Sequence, residues 1–173
     1  MGLFDRFRDD RGAQMTPHLA FATSLIYGMG ADGEIDHEEI GHLLSVLGGS
    51  TEGGRIGVGG NNRSLLDQAT RIARTKPVGQ FLSEVTPILT DAQRMCILLN
   101  MVDSAMADGE AEGEEQTLVI QFQRAFGIPD ERFIPFFEAL HMKNDRSVFL
   151  DPSHPHNRDG FVVELGGLQG RPS

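Results

Sequence analysis

Ala31-Asp32-Gly33-Glu34-Ile35-Asp36-His37-Glu38-Glu39 returns further along the chain as Ala107-Asp108-Gly109-Glu110-Ala111-Glu112-Gly113-Glu114-Glu115. The copies stand 76 positions apart (108 − 32) and share the frame Ala-Asp-Gly-Glu-x-acid-x-Glu-Glu, an ungapped match too long to come from composition. Each copy carries five acids from its Asp to its last Glu. Those ten account for the whole charge imbalance, because 25 acids against 15 bases become 15 against 15 once they are removed. The negative charge is therefore local.

Both copies reproduce the second half of a calcium loop, in which a central Gly allows a sharp turn and a closing Glu can bind bidentately. Asp32-Gly33 with Glu39, and Asp108-Gly109 with Glu115, fit that half. Where the loop needs two earlier carboxylates the chain has Gly28 and Gly30, then Ser104 and Met106. The match describes an acidic turn between helices and not an EF-hand. Gly33 and Gly109 follow Asp where the chain must reverse, and positive φ is expected at both.

Outward from these turns, every strong periodicity is helical. Thr16-Pro17 caps and starts a helix whose apolar residues Leu19, Phe21, Ala22, Leu25 and Ile26 face nearly all round, the pattern of a buried helix. After the first turn, Asp36 and Glu39 form a capping-box-like pair, and Ile40, Leu43, Leu44 and Leu47 continue one helix face. Residues 48–62 hold seven glycines and read as a loop. A helix from about Arg63 to Thr75 follows, then one from Pro77 until Thr86-Pro87 breaks it. Thr90-Asp91-Ala92-Gln93 is a second capping box, opening a helix with Met95, Leu98, Leu99, Val102 and Met106 on one stripe. Leu118, Val119, Phe122 and Phe126 mark the helix after the second turn, with Gly127 as its terminator. Phe133, Phe136, Phe137 and Leu140 form a further stripe that Pro135 is expected to split. The expected fold is all-α, a bundle of about six or seven short helices.

Residues 1–15 form an N-terminal amphipathic segment and linker, 16–143 the helical domain and 144–173 an irregular tail. Cys96, the single cysteine, sits in an apolar run and is expected to be a buried, inert thiol. No run approaches the ~20 apolar residues of a spanning helix, so no transmembrane segment is expected. A net charge of −10 argues against nucleic acid as a partner. His154 and His156 have metal-ligand spacing, but a proline separates them and the sequence supplies no other clear ligand. No nucleophile, His-carboxylate constellation or phosphate loop accompanies the acidic turns, which points away from an enzyme.

Two helix-turn-helix units built around Ala-Asp-Gly-Glu, each followed by a Glu-Glu pair, resemble the bacterial tellurite-resistance TerB family over roughly Thr16 to Leu140. The resemblance implies a helical bundle whose acidic turns meet by internal pseudo-symmetry. It also implies a non-enzymatic role in stress or metal-ion response, often with membrane complexes. The expected setting is the cytoplasm, at the periphery of the inner membrane, with a protein partner. Related modules occur in a membrane-anchored DnaJ-like co-chaperone, so fold alone does not set function. Carried over by position, the acidic site comprises Asp32, Asp36 and Glu39 from the first turn and Asp108, Glu112 and Glu115 from the second, joined by Asp103. The first-repeat counterpart of Asp103 is Tyr27, which leaves the first half-site poorer in oxygen ligands. The expected ligand is a divalent cation, Ca²⁺ before Mg²⁺, because carboxylates at mixed distances suit flexible coordination. The alternative is a metal-free module docking a basic partner surface through its acidic face.

Overall fold

Thr16 begins the described structure's first helix as the sequence requires: its Oγ1 accepts a hydrogen bond from the Leu19 N–H at 3.2 Å, and Pro17, which has no N–H to satisfy, takes the first helical position. The computed structural model describes residues 14–30, 62–107 and 113–162. Helix α1, Pro17–Met29, buries Leu19, Ala20, Phe21, Ala22, Leu25, Ile26 and Met29, together with Thr23 and Ser24. Those two hydroxyls donate back to the Leu19 and Ala20 carbonyls, each at 2.7 Å, so their burial strands no donor. A helix apolar on all sides belongs in the middle of a bundle, and α1 packs against helices on several sides.

Helix α2, Asn62–Thr75, lays Leu65, Leu66, Ala69, Ile72 and Ala73 against this core. Pro77 separates it from α3, Val78–Val85, which buries Phe81, Leu82 and Val85 before a 3-10 turn at Thr86–Ile88. The Thr90 capping box then forms in both directions. Gln93 N–H donates to Thr90 Oγ1 at 3.2 Å, and Thr90 N–H to Gln93 Oε1 at 2.9 Å. It opens α4, Asp91–Ala107, the second central helix. Its buried residues are Ile97, Leu98, Met101 and Val102, a wider face than the single expected stripe, because α4 packs on α1, α5 and α6 at once. Cys96 lies just off that face and is exposed, which corrects the expectation of a buried thiol. It borders an open groove between α4 and α6 lined by Met95, Leu99 and Phe136.

Helix α5, Gly113–Ala125, ends as Gly127 predicts. With φ at +67°, Gly127 donates to the Arg124 carbonyl while Ile128 N–H reaches back to Gln123, both at 3.1 Å, the paired bonds of a Schellman motif. Buried Gln123 closes the corner through its Nε2, which donates to Asp130 Oδ1 at 2.7 Å and to the Ile128 carbonyl at 3.2 Å. Space is not the constraint at Gly127, since a Cβ there would meet nothing within 4 Å. Left-handed backbone alone therefore sets the cost of substitution. Gly127→Ala is expected to lower the stability of the domain by about 1 kcal/mol in urea unfolding, and Gly127→Asn by less, because Asn tolerates that conformation. Equal stability of the Ala variant and the parent would count against the motif.

Helix α6, Asp130–Asn144, contains Pro135 without a break, which corrects the expected split. The missing N–H would have paired with the Glu131 carbonyl in the exposed first turn, so the lost bond falls where water can replace it. Of the expected stripe, Phe133 is buried and Leu140 half-buried against the core, whereas Phe136 and Phe137 are exposed. A short helix α7, Ser147–Leu150, and a 3-10 turn at Pro155–Asn157 follow where the sequence shows only turns. Among the described residues the fold is all-α, with seven helices and no strand, and no helix is long and apolar enough to cross a membrane. The helix expected across Ile40 to Leu47, the glycine-rich loop before Asn62 and residues 1–13 lie outside the described residues.

Candidate functional site

The two central helices lead into the two acidic turns. α1 ends at Met29, capped by Gly30, directly before the first copy, and α4 ends at Ala107 within the second. α5 resumes at Gly113, so Glu114 and Glu115 stand in its first turn. There a carboxylate offsets the positive end of the helix dipole, which accounts for two of the second copy's five acids without any ligand. Of the carried-over set, Asp103 and Glu115 are described, and Glu115 is half-buried. Asp32, Asp36, Glu39, Asp108 and Glu112 lie outside the described residues, as do Gly33 and Gly109 with their expected positive φ.

Asp103 sits one turn before the second acidic turn, and both its oxygens are engaged. Lys143 Nζ donates to Oδ1 and Oδ2 at 2.6 and 2.7 Å, and Asn144 Nδ2 donates to Oδ1 at 2.9 Å. This clamp ties α4 to the C-terminal end of α6, with an ammonium at the carboxylate face that a cation would otherwise take. Tyr27, the repeat-equivalent position, does the same kind of work with different chemistry. Its hydroxyl donates to the Lys76 carbonyl just past α2 at 2.6 Å, and its ring packs with Phe81 and Phe122 at centroid distances of 5.2 and 6.5 Å. Burial first, and the nearby Glu84 charge second, push the Tyr27 phenol up to about 12. In both repeats the residue one turn before the acidic copy fastens a central helix to the far end of the helix packed across it. The departure from acid to Tyr is thus a change of clamp.

The tail brings to the two histidines a third group that their spacing does not reveal. Asp145, the residue after α6, meets His154 and His156, and one ligating atom from each of the three lies within 4.8 Å of the others. His154 Nε2 is 3.1 Å from Asp145 Oδ2, and both side chains are largely shielded, at 15% and 12% exposure. Asp145 Oδ1 accepts from the Ser147 N–H at 3.0 Å and from its hydroxyl, which aims Oδ2 at the histidine. Those hydrogen bonds, Ser147's hydroxyl first, hold the Asp145 carboxyl below the usual carboxylate range. The His156 ring stacks on Phe161 at 4.5 Å and meets His154 edge-on at 4.8 Å. The available signal was the Asp145-Arg146-Ser147 turn, whose carboxylate folds back on a loop nine residues downstream.

A family model, that of tellurite resistance protein TerB, matches residues 18–136. Neither the curated proteins nor the solved structures gave a match. The matched span takes in both acidic copies, α4, α1 from its second residue, and Tyr27, Lys76 and Asp103, and leaves Lys143, Asn144 and the histidine-bearing tail outside. With more than half its length matched, and with the all-helical bundle that the repeats demand, the chain belongs to the TerB family.

Proposed function

We propose that the chain is a non-enzymatic acidic module that binds one divalent cation jointly at its two acidic turns, Ca²⁺ in preference to Mg²⁺, in a tellurite, metal-ion or envelope stress response. The observation that carries this reading is the placement of both acidic copies inside one family match, each directly following a central helix of the same core. Ten carboxylates in two eight-residue stretches repel one another unless a counter-ion or a basic surface answers them. Neither turn has enough ligands alone, so sharing an ion is the economical solution. Asp32, Asp36, Glu39, Asp108, Glu112 and Glu115 are the proposed ligands. Asp103 joins them only by exchanging Lys143 for the ion. The module acts in the cytoplasm, at the periphery of the inner membrane, with a protein partner.

One observation favours the metal-free reading. Asp103 already answers to a lysine of its own chain, which is how a basic partner would answer the other acids. Calorimetric titration of the metal-stripped full chain with Ca²⁺, Mg²⁺ and Mn²⁺ separates the two. The shared site predicts one saturable Ca²⁺ site, tighter than Mg²⁺, that Asp32→Asn and Asp108→Asn each weaken by about tenfold or more, a loss of about 1.4 kcal/mol. Silence toward all three ions supports docking to a basic partner. Two independent sites, each sensitive to one substitution only, would exclude joint binding.

A further inference from the structure

We propose that Asp145, His154 and His156 form a transition-metal site, with Zn²⁺ as the ion that fits its donors, sharing no residue with the acidic set and outside the family match. Two imidazoles and one carboxylate make a donor set that suits Zn²⁺, Ni²⁺ or Co²⁺ far better than Ca²⁺ or Mg²⁺, which want oxygen. The geometry is close to formed. The His154 Nε2 to Asp145 Oδ2 separation of 3.1 Å already suits two ligands on one ion. With Zn–N and Zn–O at about 2.0–2.2 Å, the widest pair in the cluster needs to close by no more than about 1.5 Å. His156 Nδ1 is shielded from solvent and has no hydrogen-bond partner among the described residues, so a ring of the cluster carries an unmet polar atom. Around the three, Ser147 fixes Asp145 through its other oxygen, Phe161 backs the His156 ring, and the Asp151 carboxylate close to His154 adds negative charge.

Binding requires one rearrangement, and it gives the site a signature. His154 Nδ1 now accepts from the His156 backbone N–H at 3.1 Å, so its proton is on Nε2 and points to Asp145. An ion on Nε2 displaces that proton, and the neutral ring must then carry its hydrogen on Nδ1. The His156 amide loses its acceptor. Metal capture would therefore pin the loop at His154–His156 to the end of α6 through Asp145 while freeing one backbone N–H.

The test is titration of the metal-stripped full chain with Zn²⁺ alone at neutral pH, read by calorimetry and by the amide resonance of His156. One saturable site is expected that excess Ca²⁺ does not displace. His154→Ala and His156→Ala should each weaken it more than about tenfold, while His18→Ala on α1 leaves it unchanged. The His156 amide should shift on Zn²⁺ addition in the parent. Both histidines lie beyond the buried core, so melts of the stripped variants should match the parent and show that folding is intact. Zn²⁺ affinity that survives either tail substitution, competition by Ca²⁺, or no saturable Zn²⁺ site in the parent would overturn the assignment. None of these outcomes bears on Ca²⁺ binding by the acidic turns, which stands or falls by its own titration.

Discussion

Phe122→Ala is expected to lower the stability of the domain by about 3–5 kcal/mol. The ring is fully enclosed and meets three others, Tyr27, Phe81 and Phe126, at centroid distances of 6.5, 6.3 and 5.6 Å, the last edge to face. Those partners come from α1, α3 and the end of α5, so the cavity would open where three helices meet and no single helix can move to fill it. Tilted and edge-on pairs also carry an attraction beyond their buried area. Urea unfolding of parent and variant should show the midpoint falling sharply with little change in slope. Phe149→Ala, at a ring 92% exposed on α7, is the control and should change little. A loss below about 1 kcal/mol for Phe122→Ala would mean that the four rings do not form the keystone of the bundle.

Phe122 was legible in the sequence as one member of a helical stripe, and so were the devices that start and stop helices. Thr16-Pro17, the Thr90 and Gln93 box and Gly127 each act through neighbours within five residues, so local chemistry determines them. What the sequence hid depends on distant packing. The Phe133, Phe136, Phe137 and Leu140 stripe has the right spacing, yet α6 lies at the rim of the bundle and only part of the stripe finds the core. Cys96 misled for the opposite reason, since an apolar run on a helix that packs on three sides still leaves one side open. Pro135 reads as a break in the sequence, but its position beside an exposed first turn, which only the packed helix reveals, makes its cost small. On the functional side, spacing identified the acidic repeat and a short-range resemblance its family. The Asp103 clamp and the Asp145, His154 and His156 cluster needed three dimensions, because their members are 40 and nine residues apart.

Raising the pH should expose the first-repeat clamp directly. Tyr27 is the only tyrosine and the chain has no tryptophan, so tyrosinate absorbance reports this one phenol. In the folded protein its pKa stands at about 12, and in the unfolded chain close to 10. A phenol is neutral when protonated, so a raised folded value means that the folded state holds the proton more tightly. The stability this contributes is complete below pH ~10 and is lost as pH rises toward about 12. Two units correspond to about 2.7 kcal/mol for a group cut off from solvent; Tyr27 is only partly buried, and screening brings the expected loss to about 1.5–2 kcal/mol. Lysines lose their charge in the same range, but Tyr27→Phe keeps every one of them, so the difference between parent and variant isolates the phenol. At neutral pH the variant should be less stable by about 1 kcal/mol, the worth of the bond to the Lys76 carbonyl. Above pH ~11 the two unfolding curves should converge and then cross, because the parent must ionise a phenol against burial and the Glu84 charge while the variant has nothing to ionise. Curves that stay parallel throughout, or a tyrosinate midpoint near 10 in the folded protein, would show that the hydroxyl is open to water and that α1 is not fastened to α2 at this point.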